Sequence, residues 1–199
     1  HDPVSNYDQR LYQYDAARRL VLRDDQKRDL TTYAYDLANR LETRGYPDGL
    51  DDHFTYDAAS RLLTAESQRY DVLCARGYFD DSTLASETLT VDGIDYPVAL
   101  SYDAANRQTE QEYPSARSVT RGYTDRDQLA TLSVDGTQVA GMSYDPGMRE
   151  TTRGLGNGLS TTRTYGRSDN LVTAIDTPGV VDFAYTYDGN KRKTVELDR

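Results

Sequence analysis

Nine tyrosines punctuate the chain at nearly constant intervals. They are Tyr14, Tyr35, Tyr56, Tyr78, Tyr102, Tyr123, Tyr144, Tyr165 and Tyr187, separated by 21, 21, 22, 24, 21, 21, 21 and 22 residues. Several open the same phrase: YDAARRL from Tyr14, YDLANRL from Tyr35, YDAASRL from Tyr56, YDAANRQ from Tyr102. A fixed period in this range marks a repeat architecture. The pattern fills the sequence, so residues 1–199 are expected to form a single array with no separate domain or long linker.

Each repeat has an internal grammar. Aromatic residues alternate into the key tyrosine at Tyr33–Tyr35, Phe54–Tyr56 and Tyr185–Tyr187. Residues two apart share one face of a strand, and aromatic residues favour strands. After the tyrosine comes Asp15, Asp36, Asp57, Asp103, Asp145 or Asp188. An aspartate at the head of a turn bonds the backbone just ahead of it, and Asn tolerates left-handed backbone. Arg-Leu then restarts extended chain at Arg40-Leu41 and Arg61-Leu62. About 13 residues beyond many key tyrosines lies a second turn signal. Asp48-Gly49, Asp92-Gly93, Asp135-Gly136, Asn157-Gly158 and Pro178-Gly179 supply it.

One repeat is therefore two antiparallel strands and two turns. Nine repeats predict roughly 16–18 strands of about six to eight residues, an all-β hairpin array about 85 Å long if flat. A sheet of that extent curls or coils, so a curved or spiral, solenoid-like sheet is expected. Tyr and Leu are expected on its concave face, with Arg, Glu, Thr and Asp on the other. The segment YDAARRLVLRDDQKRDL contains helix formers, but no apolar 3.6 period continues through the Tyr-Asp turns.

Composition tests this reading. Leu, Ile, Val and Phe make up about 18% of the chain, and the formal net charge is -10. Those values alone suggest an acidic disordered segment. The 17 tyrosines oppose it, because each carries a large apolar ring with a polar tip and can build a core at low hydropathy. The acidic balance disfavours nucleic acid, which needs Lys and Arg clusters. No run of 18 apolar residues offers a membrane span. Cys74 is the single cysteine, so no intrachain disulfide forms, and it reads as a small hydrophobe.

No catalytic constellation is visible, and the chain is read as non-enzymatic and without cofactor or metal. His1 and His53 have no Cys or His at ligand spacing. No nucleophile elbow, P-loop or dinucleotide fingerprint occurs. Asp24-Asp25, Asp51-Asp52 and Asp80-Asp81 could offer oxygens to Ca²⁺, but without a calcium-loop pattern they read as solvated turn or edge charges. The tyrosine rows read as core, hydroxyls bonded across strands; exposed rows would instead bind sugars or proteins.

Tyr-Asp-x-x-Gly/Asn-Arg-Leu at about 21-residue spacing resembles the YD repeats of the RHS (rearrangement hotspot) family over essentially the whole chain. That family includes bacterial polymorphic toxins, C components of insecticidal toxin complexes, wall-associated proteins and teneurins. The resemblance implies a spiralling β-sheet shell that in bacterial members encloses a C-terminal toxin. Departures are present. Arg18, Asn39, Ser60 and Asn106 replace the usual turn glycine, Gly166 follows Tyr165, and the Tyr78 repeat reads as carrying an inserted residue before its Asp. The terminal segment used for aspartate-dependent self-cleavage is not recognisable, and Asp145-Pro146-Gly147 falls in phase with the other turns.

Three functions follow from the sequence. The first is a secreted or cell-surface structural segment whose partner is an enclosed or presented polypeptide such as a toxin. The second is a filament subunit whose partners are neighbouring copies, because neither end, HDPVSNYDQRLYQYD or YTYDGNKRKTVELDR, looks like a polar cap. The third is a glycan- or receptor-binding module. The chain is expected to be a piece of a longer protein or a processed product, since it opens at His1 and closes at Arg199 without start or stop signals.

Overall fold

The computed structural model describes residues 10–25, 30–167 and 169–198. His1, the strand-like reading of residues 1–9, and residues 26–29 of the segment weighed for helix lie outside them. The chain divides into two compact units, His1–Ala99 and Leu100–Arg199.

The first unit contains β1 (Leu11–Tyr14), β2 (Leu20–Asp24), β3 (Leu30–Tyr35), β4 (Leu41–Gly45) and β5 (Asp52–Tyr56). It continues with β6 (Leu62–Ser67), β7 (Val72–Tyr78), β8 (Leu84–Val91) and β9 (Ile94–Tyr102). Each strand pairs antiparallel with its sequence neighbour. The second unit contains β10 (Gln108–Glu112), β11 (Ser118–Tyr123), β12 (Leu129–Val134), β13 (Thr137–Tyr144) and β14 (Glu150–Leu155). Then follow β15 (Ser160–Tyr165), β16 (Val172–Thr177), β17 (Val181–Tyr187) and β18 (Lys193–Asp198), paired in the same serial manner. The all-β hairpin repeat is thus realised, and no helix occurs among the described residues.

The turns follow the expected chemistry. The residue four after the key tyrosine is left-handed at Arg18 (φ 63), Asn39 (φ 64), Ser60 (φ 64) and Asn106 (φ 58). Asp92-Gly93 and Asp135-Gly136 are both positive in φ, the two-residue hairpin geometry that matches strand twist. Pro146 and Gly147 lie inside an ordinary member of the series, with Met148 left-handed at φ 65.

The Tyr78 repeat corrects the sequence reading. Ser82 is left-handed four residues after Tyr78, as Asn39 is after Tyr35, so nothing is inserted. Phe79 occupies the aspartate's backbone place, and its N–H donates to the Thr83 carbonyl as that of Asp36 does to Arg40. The extra residue belongs to the Tyr165 repeat, where Gly166 donates to Leu171 and the left-handed residue is Asn170.

A second feature had no sequence signature. The register slips by one residue at Tyr14, Tyr35, Tyr56, Tyr78, Tyr123, Tyr144, Tyr165 and Tyr187. Ala34 faces Thr43 while Tyr35 faces Leu41, so Glu42 is left over. Such a bulge breaks the ladder locally and increases twist. It recurs wherever a turn of the nine-tyrosine series closes a hairpin within a unit, whereas the Tyr113 turn between β10 and β11 has none.

The expected tyrosine core needs correction. No hydrophobic side chain is buried among the described residues; Asp52 and Thr177 are the buried polar ones. Among the described residues, strands within a unit contact only their sequence neighbours, so neither unit has a second layer of its own. Of the nine key tyrosines, Tyr14 is exposed and the rest are half-buried; Tyr70, Tyr96 and Tyr113, outside the series, are exposed.

Candidate functional site

The repeated Tyr-Asp-Arg group is built in three steps. The aspartate first closes its own turn. Asp36 Oδ1 accepts from the N–H of Ala38 and of Arg40, both at 2.9 Å. Its Oδ2 accepts from Arg40 Nε at 2.7 Å. Asp15–Arg19, Asp57–Arg61, Asp103–Arg107 and Asp145–Arg149 repeat this, with Nε–Oδ2 distances of 2.6–2.7 Å. These bonds hold the carboxyls below the ordinary aspartate value. The Arg N–H is the leading cause at Asp15, Asp36 and Asp57, and the guanidinium at Asp103 and Asp145. Asp188 caps its turn through the N–H groups of Asn190 and Arg192.

The anchored arginine then reaches the next repeat. Arg19, Arg40, Arg61, Arg107 and Arg149 lie over the rings of Tyr35, Tyr56, Tyr78, Tyr123 and Tyr165, 4.7–4.8 Å from the centroid. Guanidinium over an aromatic face is attractive. Each also donates from Nη1 to the side chain of the next left-handed residue: Asn39, Ser60, Ser82, Asp127 or Asn170. Arginine and aspartate therefore share a side with the tyrosines, against the expectation that they cover the opposite face. The i to i+4 ion pair folds the arginine back along the turn and onto the next ring.

The tyrosine hydroxyl completes the link. Tyr35, Tyr56, Tyr123, Tyr144, Tyr165 and Tyr187 donate to the carbonyls of Leu20, Leu41, Gln108, Leu129, Glu150 and Val172, fifteen residues earlier. Tyr78 donates to Leu62, sixteen earlier. Except for Gln108, each acceptor sits at a register slip described above: Leu20 faces Tyr14, Leu41 faces Tyr35, Leu62 faces Tyr56. The bulge disrupts the ladder there, and the next tyrosine supplies a hydrogen bond to its carbonyl. The expected cross-strand hydroxyl bonds are thus present, without full ring burial.

Two links depart from this. Gln128 stands in the arginine's place before Tyr144, and Leu171 before Tyr187. Gln128 Nε2 donates to the Met148 carbonyl at 3.0 Å, beside an open cleft of about 510 Å³ lined by Thr124, Asp125, Gln128, Tyr144 and Pro146 among others. Tyr102 of the series ends β9, and Asp103 heads the turn that follows, bonded to Arg107.

Other candidates resolve individually. Asp52 is only 4% exposed and is not the solvated charge expected of the Asp51-Asp52 pair. Burial pushes its carboxyl up, but hydrogen bonds from Ser67, Arg44 and Tyr46 outweigh this and hold it below the usual range. Arg44 Nε lies 2.8 Å and Tyr46 Oη 2.9 Å from Asp52 Oδ2. Arg69, paired with Asp48, sits 4.3 Å from the Tyr46 ring centroid. Asp81 caps Thr83. Burial pushes the Cys74 thiol up, with Glu87 adding to the effect, which leaves it unactivated. His53 faces Thr43 across β4 and β5. No group of three or more His, Cys, Asp or Glu able to hold a metal ion occurs among the described residues. No helix there is long and apolar enough to cross a membrane.

No protein-family model and no curated protein matches the chain. Solved structures do. The crystal structure of TcdB2-TccC3-TEV matches with a TM-score of 0.54 at 15% identity, over 95% of this chain and 12% of that one. That of TcdB2-TccC3-Cdc42 gives 0.54 at 14%, with the same coverage. TcdB2-TccC3 without its hypervariable C-terminal region gives 0.53 at 14%, again covering 95% and 12%. The chain therefore has the fold of a portion of these structures and spans about an eighth of the length of the chains it matches.

Proposed function

We propose that the chain is a YD-repeat segment of RHS type. It is a non-catalytic, extracellular or surface structural element that builds part of a β-shell enclosing or presenting another polypeptide, such as a toxin. The observation that carries this reading is the recurring link, in which every bond made by Tyr, Asp and Arg closes a turn or joins one hairpin to the next. Residues so engaged are architectural: their polar atoms already have partners. The fold likeness to TcdB2-TccC3 structures supports the assignment. A repeat wall of this kind, without a buried apolar core, needs neighbouring repeats on either side.

A second reading, assembly into filaments, has its own observation. Every residue of β1 and of β18 is exposed, and exposed edge strands can pair with other chains. Electron microscopy of the native material, untagged and without crosslinking, separates the two. Rounded shells or curved wall fragments are expected. Long particles with one chain per repeat would overturn the shell reading in favour of the filament.

A further inference from the structure

The seven links within the two units sort by the residue at the left-handed turn position. Where that residue offers an oxygen acceptor, Asn39, Ser60, Ser82, Asp127 or Asn170, the preceding hairpin brings an arginine. Where it is Met148, the preceding residue is Gln128, which bonds the Met148 carbonyl instead. Where it is Lys191, the preceding residue is Leu171. The geometry explains the sorting. The guanidinium is held over the ring by its own aspartate, and Nη1 then points at the left-handed side chain. A carbonyl, hydroxyl or carboxylate oxygen there accepts the hydrogen bond; a cation there meets like charge.

We propose that this pair of positions is a matching rule that decides which hairpin ends can dock, and that it makes the two ends of this chain incompatible with each other. The rule deepens, and rests on, the reading of the chain as a structural repeat segment. β18 stands to a following strand as β2 stands to β3. Its turn carries Asp188 and an exposed Arg192, so it takes a hairpin whose turn has Asn, Ser or Asp at the left-handed position beside an open tyrosine ring. At β1 the ring is available, since Tyr14 is 62% exposed. Its left-handed residue, however, is Arg18 at φ 63. An incoming Arg192 would be aimed at another guanidinium. The β18 end thus selects a YD hairpin with an acceptor turn, and the β1 end selects one without arginine at the stacking position; a second copy of this chain satisfies neither.

Two measurements on the full chain test this. In thermal melts, Leu171→Arg alone should lower Tm, and Lys191→Asn added to it should restore Tm to wild type or above. Purely additive effects would overturn the rule. In sedimentation velocity, wild type should stay monomeric, and Arg18→Asn should self-associate about tenfold more tightly. Adding Arg192→Ala to Arg18→Asn should return the monomer. Wild-type association that Arg192→Ala abolishes, or an Arg18→Asn chain that stays monomeric, would overturn the incompatibility of the ends. Loss of β-sheet circular dichroism in the wild-type chain would instead sink the repeat-segment reading itself.

Discussion

The turn after Tyr144 and the turn after Tyr123 solve one problem with different chemistry. In the first, Asp145 Oδ1 accepts from Gly147 and Arg149 N–H at 2.9 and 3.0 Å, and Arg149 stacks on Tyr165. In the second, Thr124 Oγ1 accepts from Arg126 and Gln128 N–H, both at 3.2 Å. Arg126 and Gln128 then reach the Pro146 and Met148 carbonyls at 2.7 and 3.0 Å. The hydroxyl bonds of Tyr144 and Tyr165 are the same length, 2.7 Å, and the bulge is present at both. The common part, a left-handed residue, a bulge and a tyrosine hydroxyl, therefore does not need the ion pair. The charged group is an addition that joins particular neighbours.

That contrast can be broken first at the rings. Tyr165→Ala should cost about 3 kcal/mol in denaturant unfolding, from lost ring packing and an unfilled carbonyl, and Tyr144→Ala about 2. The difference is the stacked guanidinium, worth about 1 kcal/mol. Equal losses would show that the stack contributes nothing.

A partly sheltered ion pair off the ladder gives the next largest effect. Arg44→Ala leaves the Asp52 carboxylate buried with only Tyr46 and Ser67, and should destabilise by about 2 kcal/mol, reduced from the fully buried case because Arg44 is itself 42% exposed. A change within experimental error would show that solvent replaces the guanidinium.

Acid separates the two turns without mutation. Asp145 has a carboxyl lowered from 3.8, so its stabilisation is complete above the unfolded value and is lost as pH falls through the lower folded value. Amide exchange in the Asp145 turn should lose protection below about pH 4, while the uncharged Thr124 cap keeps its own. Parallel loss in both would mean that the acid transition is global. The smallest effect is a conversion. Gln128→Arg with Met148→Asn should add about 0.5 kcal/mol by completing the guanidinium link over Tyr144, and either change alone should add less. A double variant no better than its components would show that the stacking needs the aspartate that Thr124 replaces.

The sequence by itself determined the period, the hairpins and the turns. These are local: alternation sets a strand, Asp36 caps the backbone two and four residues ahead, and Asn39 accepts positive φ. The turn at Tyr113–Arg117, with Ala116 left-handed, follows the same hydrogen-bond plan although it lies outside the tyrosine series and the sequence reading did not single it out. What the tertiary structure alone decided is which side chains meet across repeats. Each bulge slips the register by one, and a one-residue slip reverses which face a strand residue presents. Arg40 was expected opposite the tyrosines, but it lies in the turn before β4, where its ion pair with Asp36 folds it over Tyr56. Burial of Asp52 between Arg44 and Tyr46, and the fifteen- or sixteen-residue reach of the hydroxyls, likewise depend on how one hairpin sits beside the next. That placement is set by contacts between strands, which no short stretch of the chain contains.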